Sequence, residues 1–235
     1  MGETPDQPEL LSAPILPLRQ CGLDEVGRGA LAGPLVAAAV IAPDDIAERL
    51  GPLARFLRDS KTVPPARRRE IAIALRQCVL AFEIVIISTA QINQRGIGWA
   101  NREAFRQLIT LIAAREDVED VDEYVLDGKV RIPCPAGVSA AIRCLPKADA
   151  LVPAVSAASL LAKVYRDDLM RALATQYPQY GWERNAGYGA AMHLTALRDH
   201  GSCAEHRTLF VTTALSGGQK AKRAARPIQT PELLS

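Results

Sequence analysis

The sequence predicts an α/β fold, in which helices flank a central mixed sheet of five strands and form the C-terminal part. Short apolar runs bounded by polar or turn residues are typical of buried strands, and they dominate the first part of the chain. Longer segments with helical spacing lie between these runs and take over later. This order of strands and helices is typical of an α/β protein with a mixed sheet.

The individual elements follow from the apolar pattern and from turn residues. Five segments have the character of strands: residues 21–24, 35–42, 82–88, 124–127 and 141–145. The first two are separated by a glycine-rich turn, which predicts that they pair as a hairpin. Four segments have helical spacing: residues 64–78, 99–115, 153–177 and 192–200. The last of these is expected to be the final helix, because Gly201 is a typical helix end.

Length and composition are those of an ordinary globular protein. With 235 residues, 49% of them hydrophobic and 23% charged, the chain is long enough for one sizeable core. The net charge of +2 does not by itself indicate a nucleic-acid partner. No apolar run approaches the ~20 residues that cross a bilayer, and the first residues lack a signal-peptide pattern. We therefore expect a cytoplasmic protein with no membrane contact.

The two ends of the chain differ in composition from its middle. Residues 1–17 are rich in proline and acids, and residues 216–235 combine glycine, basic residues and proline. These compositions predict a flexible leader and a flexible basic tail around a single ordered domain, residues 18–215.

The five cysteines exclude two kinds of site. Their number is odd, their spacings are wide and no C-x-x-C pair is present. Such a pattern argues against both a disulfide framework and a zinc knuckle. Reduced, mostly buried thiols are expected instead.

Four acids stand at unusual places, in strands or at strand ends. Asp24 and Glu25 lie in an apolar and glycine-rich strand, Asp127 ends an apolar run, and Asp149 precedes the long helix. A carboxylate in such a place is costly unless it is paired, hydrogen-bonded or bound to a metal. Oxygen ligands without histidine or cysteine suit Mg²⁺ or Mn²⁺ better than zinc.

Two such ions about 3.5–4 Å apart can hold a phosphodiester, with one activating water and the other stabilising the leaving oxygen. The neighbours Asp24 and Glu25 cannot both point to one face of a regular strand. A bend at the glycines, or a bond through a backbone carbonyl, would let both reach one site. Taken singly, Asp127 also fits a turn before Gly128, and Asp149 also fits the start of a helix.

A specific motif adds a family resemblance. Residues 22–34, GLDEVGRGALAGP, closely resemble the first block of type 2 ribonuclease H, also called ribonuclease HII. Further similar elements follow in the order of that family: D-S-K at 59–61, L-D-G at 126–128, K-A-D at 147–149 with the helix after it, Y-P at 177–178, and G-Y-G at 187–189 with His193 beyond. Together they span about residues 20 to 210. Ala148 and Val26 stand where the family usually has glycine and alanine.

The resemblance implies a ribonuclease H-like fold and a set of site residues. The catalytic and metal-binding acids would be Asp24, Glu25, Asp127 and Asp149. The substrate-binding residues would be Gly27, Arg28 and Gly29 at the ribose 2′-hydroxyls, Lys61 at the phosphates, and Tyr188 against the deoxyribose that follows the ribonucleotide. His206 and Arg207 resemble a late basic element at the nucleic-acid backbone, although Thr208 replaces the usual serine next to them.

The resemblance also implies an activity. It predicts a monomeric endonuclease that uses two Mg²⁺ or Mn²⁺ ions to cut the RNA of RNA–DNA hybrids and to nick duplex DNA 5′ of a single embedded ribonucleotide. The products would carry 3′-hydroxyl and 5′-phosphate ends.

Three other functions compete with this one. Type 3 ribonuclease H usually has an extra N-terminal domain and a lysine in place of Arg28. A catalytically silent hybrid-binding protein would have no use for four acids beside phosphates. A nucleotide-binding oxidoreductase is suggested only by the pair Gly27 and Gly29, without the third glycine or the acid that such a site needs.

Overall fold

A computed structural model of the protein describes residues 19–59 and 63–224. In this part of the chain, five strands form one sheet: β1 Gln20–Val26, β2 Leu35–Ile41, β3 Ala81–Ile87, β4 Glu123–Asp127 and β5 Ala141–Leu145. Their order across the sheet is β3-β2-β1-β4-β5. β2 is antiparallel to β1 and β3, whereas β4 is parallel to β1 and β5. The predicted mixed sheet of five strands and the hairpin pairing of the first two are thereby confirmed.

Helices surround the sheet and make up the C-terminal part: α1 Ile46–Leu50, α2 Pro65–Cys78, α3 Thr89–Arg95, α4 Ile97–Ala113, α5 Ala148–Leu151, α6 Pro153–Gln176, α7 Trp182–Asn185, α8 Ala191–His200 and α9 Thr208–Ala224. Two 3-10 helices, Gly51–Asp59 and Pro178–Tyr180, complete the described elements. The four predicted helices are present as α2, α4, α6 and α8.

The prediction that the chain's helices end at residue 200 is wrong. α9 follows, and it extends beyond residue 215 into the segment for which a flexible tail is predicted. Its β-branched residues and glycines are poor helix formers, which is why the sequence pattern does not reveal it. Tertiary packing stabilises it, because Val211 is buried and Phe210 and Ala214 pack against the same apolar cluster. The division into leader, catalytic domain and tail stays a prediction.

The two faces of the sheet carry separate apolar layers. Leu35, Ala37 and Ala39 of β2 face α4, whereas Val36 and Ala38 face α2 and α6. Every residue of β2 is buried, since helices cover both faces at this strand. This explains why the strand is a continuous apolar run and not an alternating one.

Gly22 allows α6 to lie directly against β1. A Cβ atom at this position would be 2.2 Å from the backbone nitrogen of Val155, which is far inside van der Waals contact. Because only glycine leaves room for this approach, α6 crosses the strand one turn before Ser159. The contact therefore places the middle of α6 over the end of β1.

The C-terminal helices enclose an aromatic cluster and attach it to the segment that connects β1 with β2. The rings of Tyr180 and Trp182 stack with centroids 5.1 Å apart, and both are buried. The carbonyl of Gly187 accepts hydrogen bonds from the backbone nitrogens of Leu31 and Ala32, at 2.8 and 3.1 Å. The segment after β1 is therefore a folded part of the protein, supported from behind by α7 to α9.

The cysteines are all free thiols, as expected. Only Cys21 is fully buried and Cys134 is exposed, so the expectation of mostly buried thiols is wrong. No helix among residues 19–59 and 63–224 is both long and apolar enough to span a membrane.

Candidate active site

Parallel pairing of β1 and β4 brings acids from distant parts of the chain to the same edge of the sheet. Leu23 pairs with Leu126, so Asp24 and Asp127 are the next residues on two adjacent strands. Asp149 lies in α5, directly after the parallel neighbour β5. The carboxyl ends of parallel strands are where open α/β sheets usually place a functional site.

A pocket of about 340 Å³ lies at this edge. It is lined by the four predicted acids and by Tyr188. The sequence analysis assigned no role to the other lining residues, which are Val26, Arg68, Ser159, Leu160 and Lys163. The structure thus brings the four acids together in one place. Ser159 and Lys163 lie on the helix that carries part of the family resemblance, whereas Arg68 had no signal beyond a run of three arginines.

Asp24 and Glu25 reach this pocket from opposite sides of β1. Asp24 is only 7% exposed and accepts hydrogen bonds from the Ser159 hydroxyl and, at 2.7 Å, from the backbone nitrogen of Glu25. Glu25 is half-buried, and its Oε1 lies 3.8 Å from Nη1 of Arg28. Because β1 ends one residue later, both side chains can line the pocket as carboxylates. A bond through a backbone carbonyl is therefore unnecessary.

The pocket disfavours negative charge on these two acids. Burial raises the pKa of Asp24 to about 8, and the nearby charges of Glu25 and Asp127 add to this effect. Burial, together with the charge of Asp127, raises the pKa of Glu25 to about 7, although Arg28 acts in the opposite direction. Clustered carboxylates with raised pKa values are typical of functional sites, and a cation among them would relieve their repulsion.

Asp127 is also connected to the helix that carries Asp149. Its Oδ1 accepts a 2.8 Å hydrogen bond from the backbone nitrogen of Ala148, the first residue of α5. The left-handed backbone conformation just before the helix is adopted by Lys147, with φ of 63°, and not by Ala148. Replacing the family's usual glycine by Ala148 therefore does not strain the backbone of that residue.

Positive side chains face the acids from α2 and α6. Nζ of Lys163 lies 2.7 Å from Oδ1 of Asp167, and Nη1 of Arg68 lies 3.9 Å from the other carboxylate oxygen of that residue. Asp167 therefore holds two cations at the wall of the pocket. Cations in this position suit a polyanionic substrate.

The turn at residues 27–29 borders the pocket through the contact between Arg28 and Glu25. Gly27 has φ of 89°, and a Cβ there would be 2.2 Å from Nε of Arg166, so the fold requires glycine at this position. Gly29 differs, because its φ is not positive and a Cβ would meet nothing within 4 Å. The described fold gives no reason for a glycine at position 29.

Tyr188 lies on the other side of the pocket with 36% of its surface exposed. The guanidinium of Arg166 lies 5.4 Å from the centre of its ring, within the range of a cation–π contact. The backbone carbonyl of Tyr188 contacts Nδ1 of His193 at 2.9 Å. The tyrosine ring is therefore supported from inside and open to a ligand from outside.

Buried histidines form the next layer behind Tyr188. Nε1 of Trp182 donates to Nε2 of His193 at 3.1 Å, so His193 carries its proton on Nδ1 and donates it to the Tyr188 carbonyl. Nε2 of His206 is 3.1 Å from Nε2 of His193, and Nδ1 of His206 accepts from the backbone nitrogen of Cys203 at 3.0 Å. These contacts are satisfied together only when both histidines are neutral.

The expectation that His206 and Arg207 contact the nucleic-acid backbone is contradicted. His206 is 2% exposed and Arg207 is fully buried, because the segment before α9 passes behind the segment that follows β1. Their partners are backbone and side-chain groups inside the protein. The predicted role of Lys61 falls outside the described residues.

The donor set fits a hard divalent cation. All four acids of the pocket offer oxygen atoms, and burial together with neighbouring carboxylates raises the pKa values of Asp24 and Glu25, so a cation would stabilise their charged forms. Within the described residues, no three His, Cys, Asp or Glu side chains are grouped closely enough to hold one ion by themselves. Mg²⁺ typically needs only one or two carboxylates, since water and substrate phosphates supply its other ligands.

Comparison with known proteins agrees with the fold and identifies a family. A family model described as Ribonuclease HII matches residues 21–213. Ribonuclease HII from Shouchella clausii is 40% identical over 190 residues, which cover 81% of this chain and 67% of the relative. Ribonuclease HII from Chlorobium phaeovibrioides is 37% identical over 198 residues, covering 84% of this chain and 92% of the relative.

Solved structures resemble the fold at lower identity. The ribonuclease H2 from Pyrococcus horikoshii has a TM-score of 0.68 at 22% identity, covering 86% of this chain and 100% of that one. Bst-RNase HIII in complex with Mn²⁺ has a TM-score of 0.64 at 22% identity, covering 94% and 77%. The two scores are too similar to separate type 2 from type 3, but the family model and the relatives at 37–40% identity do so. The chain therefore belongs to the ribonuclease HII family, and it is a ribonuclease H, an endonuclease that acts on the RNA of RNA–DNA hybrids.

Proposed function

We propose that this protein uses two divalent cations at Asp24, Glu25, Asp127 and Asp149, and that it also nicks duplex DNA on the 5′ side of a single ribonucleotide. The observation that carries the proposal is the convergence of these carboxylates, from β1, β4 and α5, in one pocket. Packing of the fold does not by itself require four acids in this pocket. Their mutual repulsion would instead destabilise the protein unless cations occupied the site.

Mg²⁺ or Mn²⁺ ions bound at these carboxylates would supply a water nucleophile at neutral pH and stabilise charge on the leaving oxygen. The residues of the chain contribute the arrangement around that chemistry. Ser159 fixes the Asp24 carboxylate by a hydrogen bond, and the amide of Ala148 fixes that of Asp127. Asp167 orients Lys163 toward the same wall, where a substrate phosphate would gain a positive neighbour.

In this proposal, the turn at residues 27–29, called the substrate turn below, recognises the ribonucleotide. Gly29 has open space where a side chain would stand, so a ligand can approach its backbone closely. Among the described residues, the backbone nitrogens of Arg28 and Gly29 donate no hydrogen bond to the protein. Backbone donors at an open glycine suit the ribose 2′-hydroxyl, the group that distinguishes RNA from DNA.

Recognition of the next nucleotide is assigned to Tyr188. Its ring lines the pocket opposite the acids and rests on the guanidinium of Arg166. A half-exposed ring held from behind can pack against a sugar that lacks a 2′-hydroxyl. The substrate turn and Tyr188 together would therefore identify the junction between a ribonucleotide and the deoxyribonucleotide that follows it.

The test is cleavage of a labelled DNA duplex that contains one ribonucleotide, with Mg²⁺, with Mn²⁺ and with chelator. Metal-dependent nicking just 5′ of the ribonucleotide is expected, and an all-DNA duplex should stay intact. The nicked strand should be extendable by a DNA polymerase, because this requires a 3′-hydroxyl end. If only a long RNA–DNA hybrid is cut, junction recognition is refuted; full activity in chelator would refute the metal mechanism.

A further inference from the structure

We infer that Arg207 is a positioning residue for substrate recognition: from inside the protein, it sets the orientation of the two backbone amides of the substrate turn. The inference rests on the proposed function, because that proposal assigns the turn to the ribose. Arg207 itself is fully buried and cannot touch the substrate.

The contacts of Arg207 are concentrated on the segment that follows β1. Nη1 donates to the carbonyl of Gly27 at 2.7 Å and to that of Arg28 at 3.1 Å. Nε and Nη2 both donate to the carbonyl of Gly33, at 3.0 and 2.8 Å. The backbone nitrogen of Arg207 adds a 2.8 Å bond to the carbonyl of Leu31. The guanidinium thus binds both ends of this segment at once.

Arg207 binds carbonyl groups, unlike an arginine that forms a structural ion pair with a carboxylate. Among the described residues, no carboxylate forms an ion pair with Arg207, and its partners are backbone carbonyls. Burial of a guanidinium is costly, and here its hydrogen bonds all go to the segment after β1, with the ring of Phe210 at 5.6 Å as its aromatic neighbour. An apolar side chain could fill the same volume at lower cost, but it could not orient three carbonyls.

Because the peptide unit is planar, the bonds of Arg207 inside the protein also fix the direction of N–H groups on the outer side of the turn. In a trans peptide, the carbonyl and the N–H of the next residue point in opposite directions, and residues 19–59 and 63–224 contain no cis peptide bond. Because the carbonyls of Gly27 and Arg28 point inward to Arg207, the N–H groups of Arg28 and Gly29 point away from it. These are the two amides that the described protein leaves without a hydrogen-bond partner.

The positive charge of Arg207 adds to this orientation. A cation bonded to a carbonyl polarises the peptide, and hydrogen bonds in such chains strengthen one another. The amides of Arg28 and Gly29 should therefore be better donors than those of an ordinary surface turn. Loss of the guanidinium should weaken substrate binding at the turn while leaving the four acids in place.

The experiment compares Arg207→Lys with the wild type on two substrates, a long RNA–DNA hybrid and a duplex with one ribonucleotide. Lysine keeps the charge but lacks the planar fork that binds several carbonyls. We expect KM to rise about 10-fold or more on both substrates, and kcat to change by less than about 3-fold. KM does not depend on the folded fraction of the sample, so moderate instability of the variant does not obscure the result.

Leu108→Ala is the control for a purely structural role. Leu108 is fully buried on α4, in the apolar layer on the opposite side of the sheet from α6, so its truncation destabilises the core without touching the turn. Its KM should stay at the wild-type value even though its thermal stability falls. Arg207→Gln, which keeps one amide donor without the charge, serves as the second variant if the lysine variant does not fold. A wild-type KM in either Arg207 variant would overturn the inference.

The two substrates separate this inference from the proposed function. If the wild type cuts the hybrid but not the single-ribonucleotide duplex, junction nicking is refuted, and KM on the hybrid alone decides the role of Arg207. If the wild type cuts both and the Arg207 variants keep its KM, the proposed function stands and the positioning role is refuted.

Discussion

Asp24 and Asp127 lie at the ends of adjacent parallel strands, one residue beyond the paired Leu23 and Leu126, and the charge of Asp127 adds to the burial that raises the pKa of Asp24. Two acids about a hundred residues apart in sequence are thus coupled electrostatically. The coupling comes from the crossover connection that makes β4 parallel to β1. Negative charge on both acids is therefore unfavourable unless a cation lies beside them.

Asp24→Asn should abolish cleavage and stabilise the metal-free protein. The amide can still accept a hydrogen bond, but it is neutral, so folding requires neither a buried charge beside Glu25 and Asp127 nor the uptake of a proton. Loss of activity should exceed the roughly 10- to 100-fold that partners of metal ligands contribute. Hybrid cleavage assays and thermal melts in chelator measure the two effects. The exposed Asp199→Asn serves as control, and it should change neither.

Gly29→Ala should weaken substrate binding without weakening the fold. A Cβ at this position meets nothing within 4 Å in the free protein, but it would occupy the space through which the ribose approaches. We expect KM on a single-ribonucleotide duplex to rise about 10-fold or more, with an unchanged melting temperature. Gly98→Ala on α4 is the matched control, because a Cβ there makes only an ordinary contact 3.7 Å from Arg102. An unaffected KM in Gly29→Ala would contradict the assignment of the turn.

Gly22→Ala should have the opposite profile, a loss of stability. The new Cβ would collide with the backbone of Val155 on α6, which cannot move aside as a flexible side chain could. Overpacking of this kind typically costs about 1–3 kcal/mol, and a backbone collision belongs at the upper end. Urea denaturation measures the change in the free energy of unfolding. A variant as stable as the wild type would show that α6 does not pack on β1 this closely.

His206 should make stability depend on pH between about 4 and 6.5. Burial, with a contribution from the charge of His193, lowers the pKa of His206 to about 4, whereas an unfolded chain has a value near 6.5. In this window the unfolded state binds a proton that the folded state does not, so stability falls as the pH decreases. The contribution is fully present above about pH 6.5, and about 2 kcal/mol of stability is lost by pH 5.

The comparison for this prediction is His206→Gln, measured by urea denaturation at pH 7 and at pH 5. The wild type should lose about 2 kcal/mol more than the variant between the two values, since other titrating groups are common to both. Equal losses in the two proteins would mean that His206 is protonated in the folded state.

Tyr188→Ala should impair nicking at a single ribonucleotide more than cleavage of a long hybrid. The ring supported by Arg166 is the surface proposed to contact the deoxyribose after the ribonucleotide, and a uniform hybrid strand has no such sugar. Tyr188→Phe keeps the ring and should behave like the wild type. The ratio of kcat/KM on the two substrates is the measurement, and an equal loss on both in the alanine variant would remove the role in junction recognition.

Much of the fold could be predicted from the sequence because its elements depend on local pattern. The fully apolar run of β2 and the helical spacing of α4 and α6 place these elements within a few residues of their observed bounds. α9 could not be predicted in this way, since its helical state depends on packing of Val211 and not on intrinsic propensity.

The acids were also recognisable, because carboxylates in strands need an unusual environment wherever they finally lie. Their number and positions in the sequence, with the family motif around Asp24 and Glu25, were enough to nominate all four. The residues that support them were not recognisable in the same way. Ser159 is an ordinary serine in a helical pattern until Gly22 lets that helix lie against β1.

The sequence by itself determined the class of fold, the family and the identity of the acids, since these depend on residue type and local spacing. Only the tertiary structure decided where Arg207 lies, because burial depends on how distant segments pack together. The family resemblance at residues 206 and 207 suggested contact with nucleic acid, but the protein surrounds Arg207 and directs its donors to the carbonyls of Gly27, Arg28 and Gly33. Arg207 therefore acts on the substrate turn from inside the protein, and the sequence pattern alone does not show this.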